Sequence, residues 1–449
     1  MKINLFQLAS LLLLTIAAGC GQTPEIATKH VSPSDSLAIN EERIALDFPY
    51  TETEIDRQLR KRIGSLTAEE KAEMERRNWL EYKIINGEKR YFSRAALNLQ
   101  LLRDFHYNRA GRDSAEASLP EIIHRKSHTA SIIRASETEA KPVLPVNMTI
   151  SYTLTVLPDA VPPGETVRCW LPWPREDHPR QGNVKFISAS PGDFLIAPDS
   201  AVHRTIYLEA KAEKGKPVVF NTSFSLEPRG QYFDPGKISN LPYDTASLLY
   251  RKYTAEQFPH ICFTEEVKRL ADSIAGEEGN AFDVYRKIYL WFTDNIPWAG
   301  AQEYSLMSNI PEYVIQNRRG DCGMQTFLLM SMLRYKGIPV RWQSGWKVPP
   351  DGKNLHDWCE VYFEGTGWIP ADISYGLQYS DDRKVREFYI SGIDSYRLII
   401  SKGVAGSLWP EKTFMRSEPF DFQRGEVEWK GGNLYFDKWD YEMEIKYDK

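Results

Sequence analysis

The stretch GMQTFLLMSMLRY, residues 323–335, is apolar nearly all round from Phe327 to Leu333. A helix without a polar stripe cannot lie on a surface, so other elements must wrap it on every side. Gly337 before Ile338-Pro339 is a suitable stop for it, and Asp321 is a good N-cap. Cys322 then occupies the first helical position, where unpaired backbone N–H groups and the helix dipole favour thiolate over thiol. Arg318 and Arg319 are expected to push the same way and Asp321 to oppose it, while Gly320 and Gly323 leave space for a substrate.

A thiolate needs a proton shuttle and a group to orient it. Of the eight histidines only His356 lies beyond Cys322. It opens HDWCEVYF, a strand with His356, Trp358, Glu360 and Tyr362 on one face and Asp357, Cys359, Val361 and Phe363 on the other. The turn EGTG returns the chain antiparallel through WIPAD to Asp372. A regular hairpin pairs even positions with even ones, so His356 and Asp372 share a face unless a bulge intervenes. Spacing therefore offers Cys322 as nucleophile, His356 as base and then acid, and Asp372 as orienter. The bland readings are an inert thiol at a helix start and an ordinary His–Asp hydrogen bond. His356-x-x-Cys359 has the spacing of a metal-ligand pair, but on a strand its side chains point to opposite faces. No GxSxG elbow, HExxH helix or Walker loop competes.

The remaining chain supplies the setting. Residues 1–20, MKINLFQLASLLLLTIAAGC, combine a Lys2 n-region, a Leu-rich core and a small-residue end, which reads as an export signal. It resembles a bacterial lipoprotein signal, which implies lipidation at Cys20 and a membrane anchor. Residues 21–45 read as a flexible tether and 46–140 as a mainly helical region, with a Thr67–Glu70 capping box, an Asn86-Gly87 hairpin turn and Ser93 capping a further helix. Over 141–230 the period becomes two: Met148, Ile150, Tyr152, Leu154 and Val156 share one face, and further alternating runs point to a β-sandwich. Residues 231–449 return to helices and then strands, an α+β unit that takes in the alternating C-terminal run around Gly431-Gly432. Cys169, Cys262 and Cys359 permit at most one disulfide if Cys322 stays free. The net charge of -5 is mild and mixed along the chain, so a nucleic-acid partner is not suggested.

RRGDCGMQTFLLMSMLRYKGIPVRWQSGW followed by HDWCEVYFEGTGWIPADIS resembles the core of the transglutaminase-like superfamily, the papain-like thiol acyltransferases and hydrolases. The GDC helix start, Arg334, Gly337, Ile338, Pro339 and Arg341, then His356, Trp358 and Glu360, then Gly367, Trp368 and Asp372 follow its pattern in order. The resemblance implies a buried helix packed on an antiparallel sheet, preceded here by the β-sandwich and the helical region. It implies a Cys322–His356–Asp372 triad that breaks or exchanges peptide or isopeptide amides through a thioester, hydrolysis being the default because amine transfer requires excluding water. The oxyanion would take the Cys322 N–H and a side-chain donor, with Gln316 and Trp298 as candidates; Trp358 would pack on the imidazole, and Glu360 would be structural. No cofactor and no metal are implied, since the calcium loops of animal transglutaminases are not visible. The expected setting is the cell envelope, periplasm-facing or at the surface, with a peptide or protein substrate and a cell-envelope polymer as a further partner. Two other readings are an inactive scaffolding lipoprotein on the same fold and an enzyme blocked by its own N-terminal helices.

Overall fold

The computed structural model describes residues 33–138, 141–276 and 279–448. The export signal, Cys20 and the first part of the tether lie outside these residues. The tether reading fails from Pro33, where helix α1 (Pro33–Asp47) begins. Among the described residues no helix is long and apolar enough to cross a membrane.

The N-terminal region continues with α2 (Glu52–Ile63), α3 (Ala68–Arg76), the hairpin β1 (Tyr82–Ile85) and β2 (Glu88–Tyr91), then α4 (Ala95–Tyr107), α5 (Arg109–Ala117) and α6 (Pro120–Ser136). Thr67 and Glu70 form the expected capping box, and Thr51 with Glu54 forms a second one on α2. Asn86 and Gly87 both take positive φ, as a type I′ turn requires. Ser93 does not cap α4: the N-cap is Arg94, and the Ser93 N–H is engaged by Asp47 O at the end of α1. A small core of Ile55, Leu59, Tyr91, Leu99 and Leu102 holds these pieces together.

The sandwich begins with β3 (Met148–Val156), whose inward and outward positions alternate without exception. It adds β4 (Thr166–Pro172), β5 (Gln181–Ser190), β6 (Phe194–Ile196), β7 (Thr205–Lys211) and β8 (Val218–Pro228), and the short β9 (Gln231–Tyr232) leaves it. The α+β unit supplies α7 (Leu248–Thr254), α8 (Glu265–Ala275), α9 (Ala281–Asn295), α10 (Ile310–Asn317) and α11 (Cys322–Tyr335). Strands β10 (Val340–Lys347), β11 (Asn354–Phe363) and β12 (Gly367–Ala371) follow, then α12 (Arg383–Arg386), α13 (Phe388–Ser391), β13 (Gly392–Ile393) and β14 (Arg397–Ser401). Its sheet runs β12-β11-β10-β14, and β13 pairs with β9.

The last strands, β15 (Glu426–Trp429), β16 (Gly432–Leu434) and β17 (Trp439–Tyr447), correct the domain boundary. They leave the α+β unit and complete the sandwich, as sheets β16-β15-β4-β7-β6 and β17-β3-β8-β5. The reason is the edge left on β3 and β4: β17 runs the whole length of β3, from Trp439 opposite Val156 to Tyr447 opposite Met148. The sandwich also shares its core with the neighbouring sheet through Trp346, Leu398 and Ile400, and Tyr152 stacks on Trp346 at 4.9 Å.

Helix α11 is buried from Gly323 to Arg334, as its composition demands. It packs between α8, α9 and α10 on one side and the odd-numbered face of β11 on the other, where Cys359, Val361 and Phe363 join its core. Gly337 at φ 73° closes it, with Ile338 N–H returning to Leu333 O and Gly337 N–H to Arg334 O, a Schellman ending. Arg334 then clamps the turn by donating to Val340 O and Ala255 O. The four described cysteines are all free.

Candidate active site

The N-terminus of α11 is built as its sequence suggests. Asp321 caps it, accepting the Met324 N–H at 3.0 Å and the Tyr304 hydroxyl at 2.7 Å. Cys322 is the first helical residue. Because the helix faces the odd side of β11, the thiol meets Asp357 and donates to its Oδ2 at 3.4 Å. Tyr304 reaches the same oxygen, and Gln423 Nε2 binds Asp357 Oδ1 at 2.6 Å and His356 O at 2.8 Å.

Two expectations around the thiol are corrected. The space beside Gly323 is not kept for a substrate: a Cβ there would strike the Tyr304 hydroxyl and the Asp357 carboxylate, so the glycine permits protein to approach the helix. Beside Gly320 a Cβ would press on Met324 and Val314. Arg318 and Arg319 do not act on the sulfur either. Arg319 is buried against Glu81 at 2.9 Å and Tyr313, joining the N-terminal region to α10, and Arg318 lies over the Trp291 ring.

Electrostatically this wall disfavours the thiolate. Burial first, then the charges of Asp357 and Asp321, push the Cys322 thiol well above its ordinary value, although the Asp357 N–H works the other way. The carboxyls respond alike. Burial, with Asp421 and Asp321 nearby, raises Asp357, and burial raises Asp321 to about 6 and Glu418 to about 8.

The opposite wall has the reverse character. β11 and β12 pair without a bulge, Cys359 opposite Ala371 and Glu360 opposite Pro370, so even positions share a face. His356 Nε2 lies 2.7 Å from Asp372 Oδ2. Trp358 stacks on the imidazole at 5.9 Å, and Tyr375 meets it edge-on at 5.3 Å. Asp372 also accepts from Arg397 Nη2 at 2.9 Å and from Ser374 at 3.1 Å. Burial alone would raise Asp372, but His356 and Arg397 outweigh it and hold the carboxyl below the ordinary range. Burial lowers His356 against the pull of Asp372. Among the described residues its Nδ1 has no hydrogen-bond partner, and no hydrogen bond joins the ring to Cys322.

Cys322 and His356 line one cavity of about 640 Å³, within the range of small-ligand sites. Trp298 also lines it and is 39% exposed. Gln316 is exposed on α10 and lies outside the lining. Glu360 is buried on the same face of β11 as His356, held by His178, Arg341 and Gln343. The N-terminal region contributes a wall through Arg94, Glu116, Ile122 and Arg125, and does not seal the cavity, since Cys322 keeps partial exposure.

Sequence reasoning passed over Asp357, Tyr304, Tyr375, Arg397 and Gln423. The parity that placed His356 also put Asp357 on the helix side, so that signal was present. Arg397 and Gln423 come from β14 and a later loop, and nothing local marks them.

Residues 268–373 match the family model of the transglutaminase-like superfamily, and Cys322, His356 and Asp372 all fall inside the match. This span is a transglutaminase-like domain. The chain is 25% identical over 131 residues to the uncharacterized protein YebA of Bacillus subtilis (strain 168), covering 25% of this chain and 18% of that protein's length. It is similar to a candidate cysteine protease of Cytophaga hutchinsonii at a TM-score of 0.47 and 14% identity, covering 68% of this chain and 91% of the other. It is also similar to the periplasmic domain of TgpA from Pseudomonas aeruginosa, at a TM-score of 0.27 and 15% identity, covering 54% and 91% of the two chains.

Proposed function

We propose that the transglutaminase-like domain makes this protein a thiol hydrolase or acyltransferase that opens peptide or isopeptide amides through a Cys322 thioester. The observation that carries this reading is the His356–Asp372 pair at 2.7 Å, whose imidazole lines the same cavity as a cysteine at a helix start. The raised thiol and lowered imidazole leave both neutral at rest. Proton transfer therefore accompanies attack: the thiol leaves Asp357, gives its proton to His356 Nδ1, and Sγ bonds to the substrate carbonyl carbon. The oxyanion takes the Cys322 N–H and the Trp298 indole N–H. His356 returns the proton to the departing amine, and water then releases the acyl group, with an amine as the competing acceptor. Asp372, itself balanced by Arg397, stabilises the imidazolium. The envelope setting and the lipid anchor at Cys20 rest on the sequence of residues 1–20 alone.

A second reading, the inactive scaffold, is favoured by one observation: the thiol is bonded to Asp357 and not to the imidazole. Trapping separates the two. A peptide amide library incubated with hydroxylamine should yield hydroxamates with the full chain and none with Cys322→Ala. Absence of turnover in both, with Cys322 unmodified by a thiol-directed acylating probe, would establish the scaffold.

A further inference from the structure

Resting on that reading, we infer that Arg125 and Lys347, set over the Tyr375 ring, form a cationic subsite that takes a carboxylate of the peptide substrate. Three cations surround this ring: Arg397 at 4.3 Å from its centroid, Arg125 at 4.8 Å and Lys347 at 5.7 Å. Arg397 is neutralised by Asp372 and Asp394. Arg125 and Lys347 form no ion pair among the described residues, and Arg125 Nε is buried without a hydrogen-bond partner. A buried donor left unpaired costs about 1–3 kcal/mol, which a ligand acceptor would recover. The carboxylates at the rim are accounted for: Glu121 and Asp351 are exposed, and Glu116 accepts from Tyr379 at 2.8 Å.

Position decides what such an anion would be. Both cations line the main cavity and also a side cavity of about 260 Å³, which shares Ile122, Asn354 and Tyr375 with it. The Tyr375 ring that carries them meets the His356 imidazole at 5.3 Å. An anion beside them is one aromatic ring away from the reacting centre. That distance suits a carboxylate on a residue next to the scissile amide, either an acidic side chain or a free C-terminus. The side cavity adds the stacked pair His124 and His128, and the buried carboxylate in its lining, Asp394, is paired with Arg397. Arg125 stands on α6, so the N-terminal region serves as a specificity wall.

The test uses three peptides identical except for charge: one with Glu beside the scissile amide and an amidated end, one with Gln and a free C-terminal carboxylate, and one with Gln and an amidated end. For the full chain, kcat/KM should favour one of the two carboxylate peptides over the neutral one by about tenfold, the size of one charge-assisted hydrogen bond, carried mainly by KM. Which one wins identifies the carboxylate's source. Arg125→Gln and Lys347→Gln should each reduce the preference, and Arg125→Glu should turn it toward a peptide carrying Lys. Equal treatment of all three peptides by the full chain, or an unchanged preference in both Gln variants, overturns the subsite. Binding to Cys322→Ala protein is measured in parallel. A carboxylate preference in Kd without turnover by the full chain would leave the subsite standing and the proposed reaction refuted, and no preference in Kd overturns the subsite whatever the turnover.

Discussion

The two walls of the cavity handle charge in opposite ways. Around Cys322, Asp321, Asp357 and Glu418 are buried with no cation close enough to offset burial, and their carboxyls are pushed up toward neutrality. Around His356, Asp372 is equally buried, yet Arg397 and the imidazole hold it ionised. Burial is common to both walls, and a paired cation alone separates them. The lesson is that the site holds its charge on the imidazole side and disfavours a thiolate on the other.

The sharpest way to break this comparison is Asp372→Asn, which keeps the shape and removes the charge. Turnover of a peptide amide should fall by roughly 10⁴-fold, as for a disoriented catalytic imidazole, and denaturant unfolding should show a loss of about 3 kcal/mol because a buried partner is gone. Activity within tenfold of the parent would place the proton path elsewhere. Next in size, Trp298→Phe removes an indole N–H while keeping a ring, and kcat should drop about 10²-fold with KM little changed. Gln316→Ala, outside the cavity, should change neither.

Stability against pH tests the walls directly. Asp321 is raised in the folded protein from 3.8 to about 6, so its contribution is complete below its ordinary value and is lost as pH rises from about 4 to 6, some 3 kcal/mol. Glu418, raised from 4.5 to about 8, acts in the same direction up to pH 8. Asp372 is depressed, so its contribution is present above the ordinary carboxylate range and lost only as pH falls below it. The buried histidines, which burial lowers, act in the opposite direction over the same range, so the test is a difference between proteins: by urea unfolding, Glu418→Gln should remove the share of the stability lost between pH 5 and pH 8 that this carboxyl supplies. The same pH dependence in Glu418→Gln as in the parent would show that burial does not raise this carboxyl. The smallest effect is expected from Asp357→Asn. Burial already pushes the Asp357 carboxyl up toward neutrality, so the substitution removes only its residual charge and the pH profile of thiol alkylation should move down slightly. An unmoved profile would mean that burial alone sets the thiol.

Much of the site was legible in the sequence because the deciding physics is local. Asp321 caps a helix through a contact three residues away, and a hairpin without a bulge carries parity from His356 to Asp372. Residues that meet across long stretches of chain left no such trace: the β17 edge belongs to β3, nearly three hundred positions earlier, and Gln423 steadies Asp357 from a loop after β14, 66 positions on. Ser93 was misread for a related reason, since a remote carbonyl, Asp47 O, took its backbone N–H.

The sequence by itself determined that a buried helix begins at Cys322 and that His356 and Asp372 lie side by side, because periodicity and strand register are properties of short segments. Only the tertiary structure decided that the thiol meets Asp357, that Arg397 balances Asp372, and that α6 brings Arg125 to the cavity. Those contacts depend on which distant charges burial forces together, and the energy of a charge is fixed by its surroundings in space.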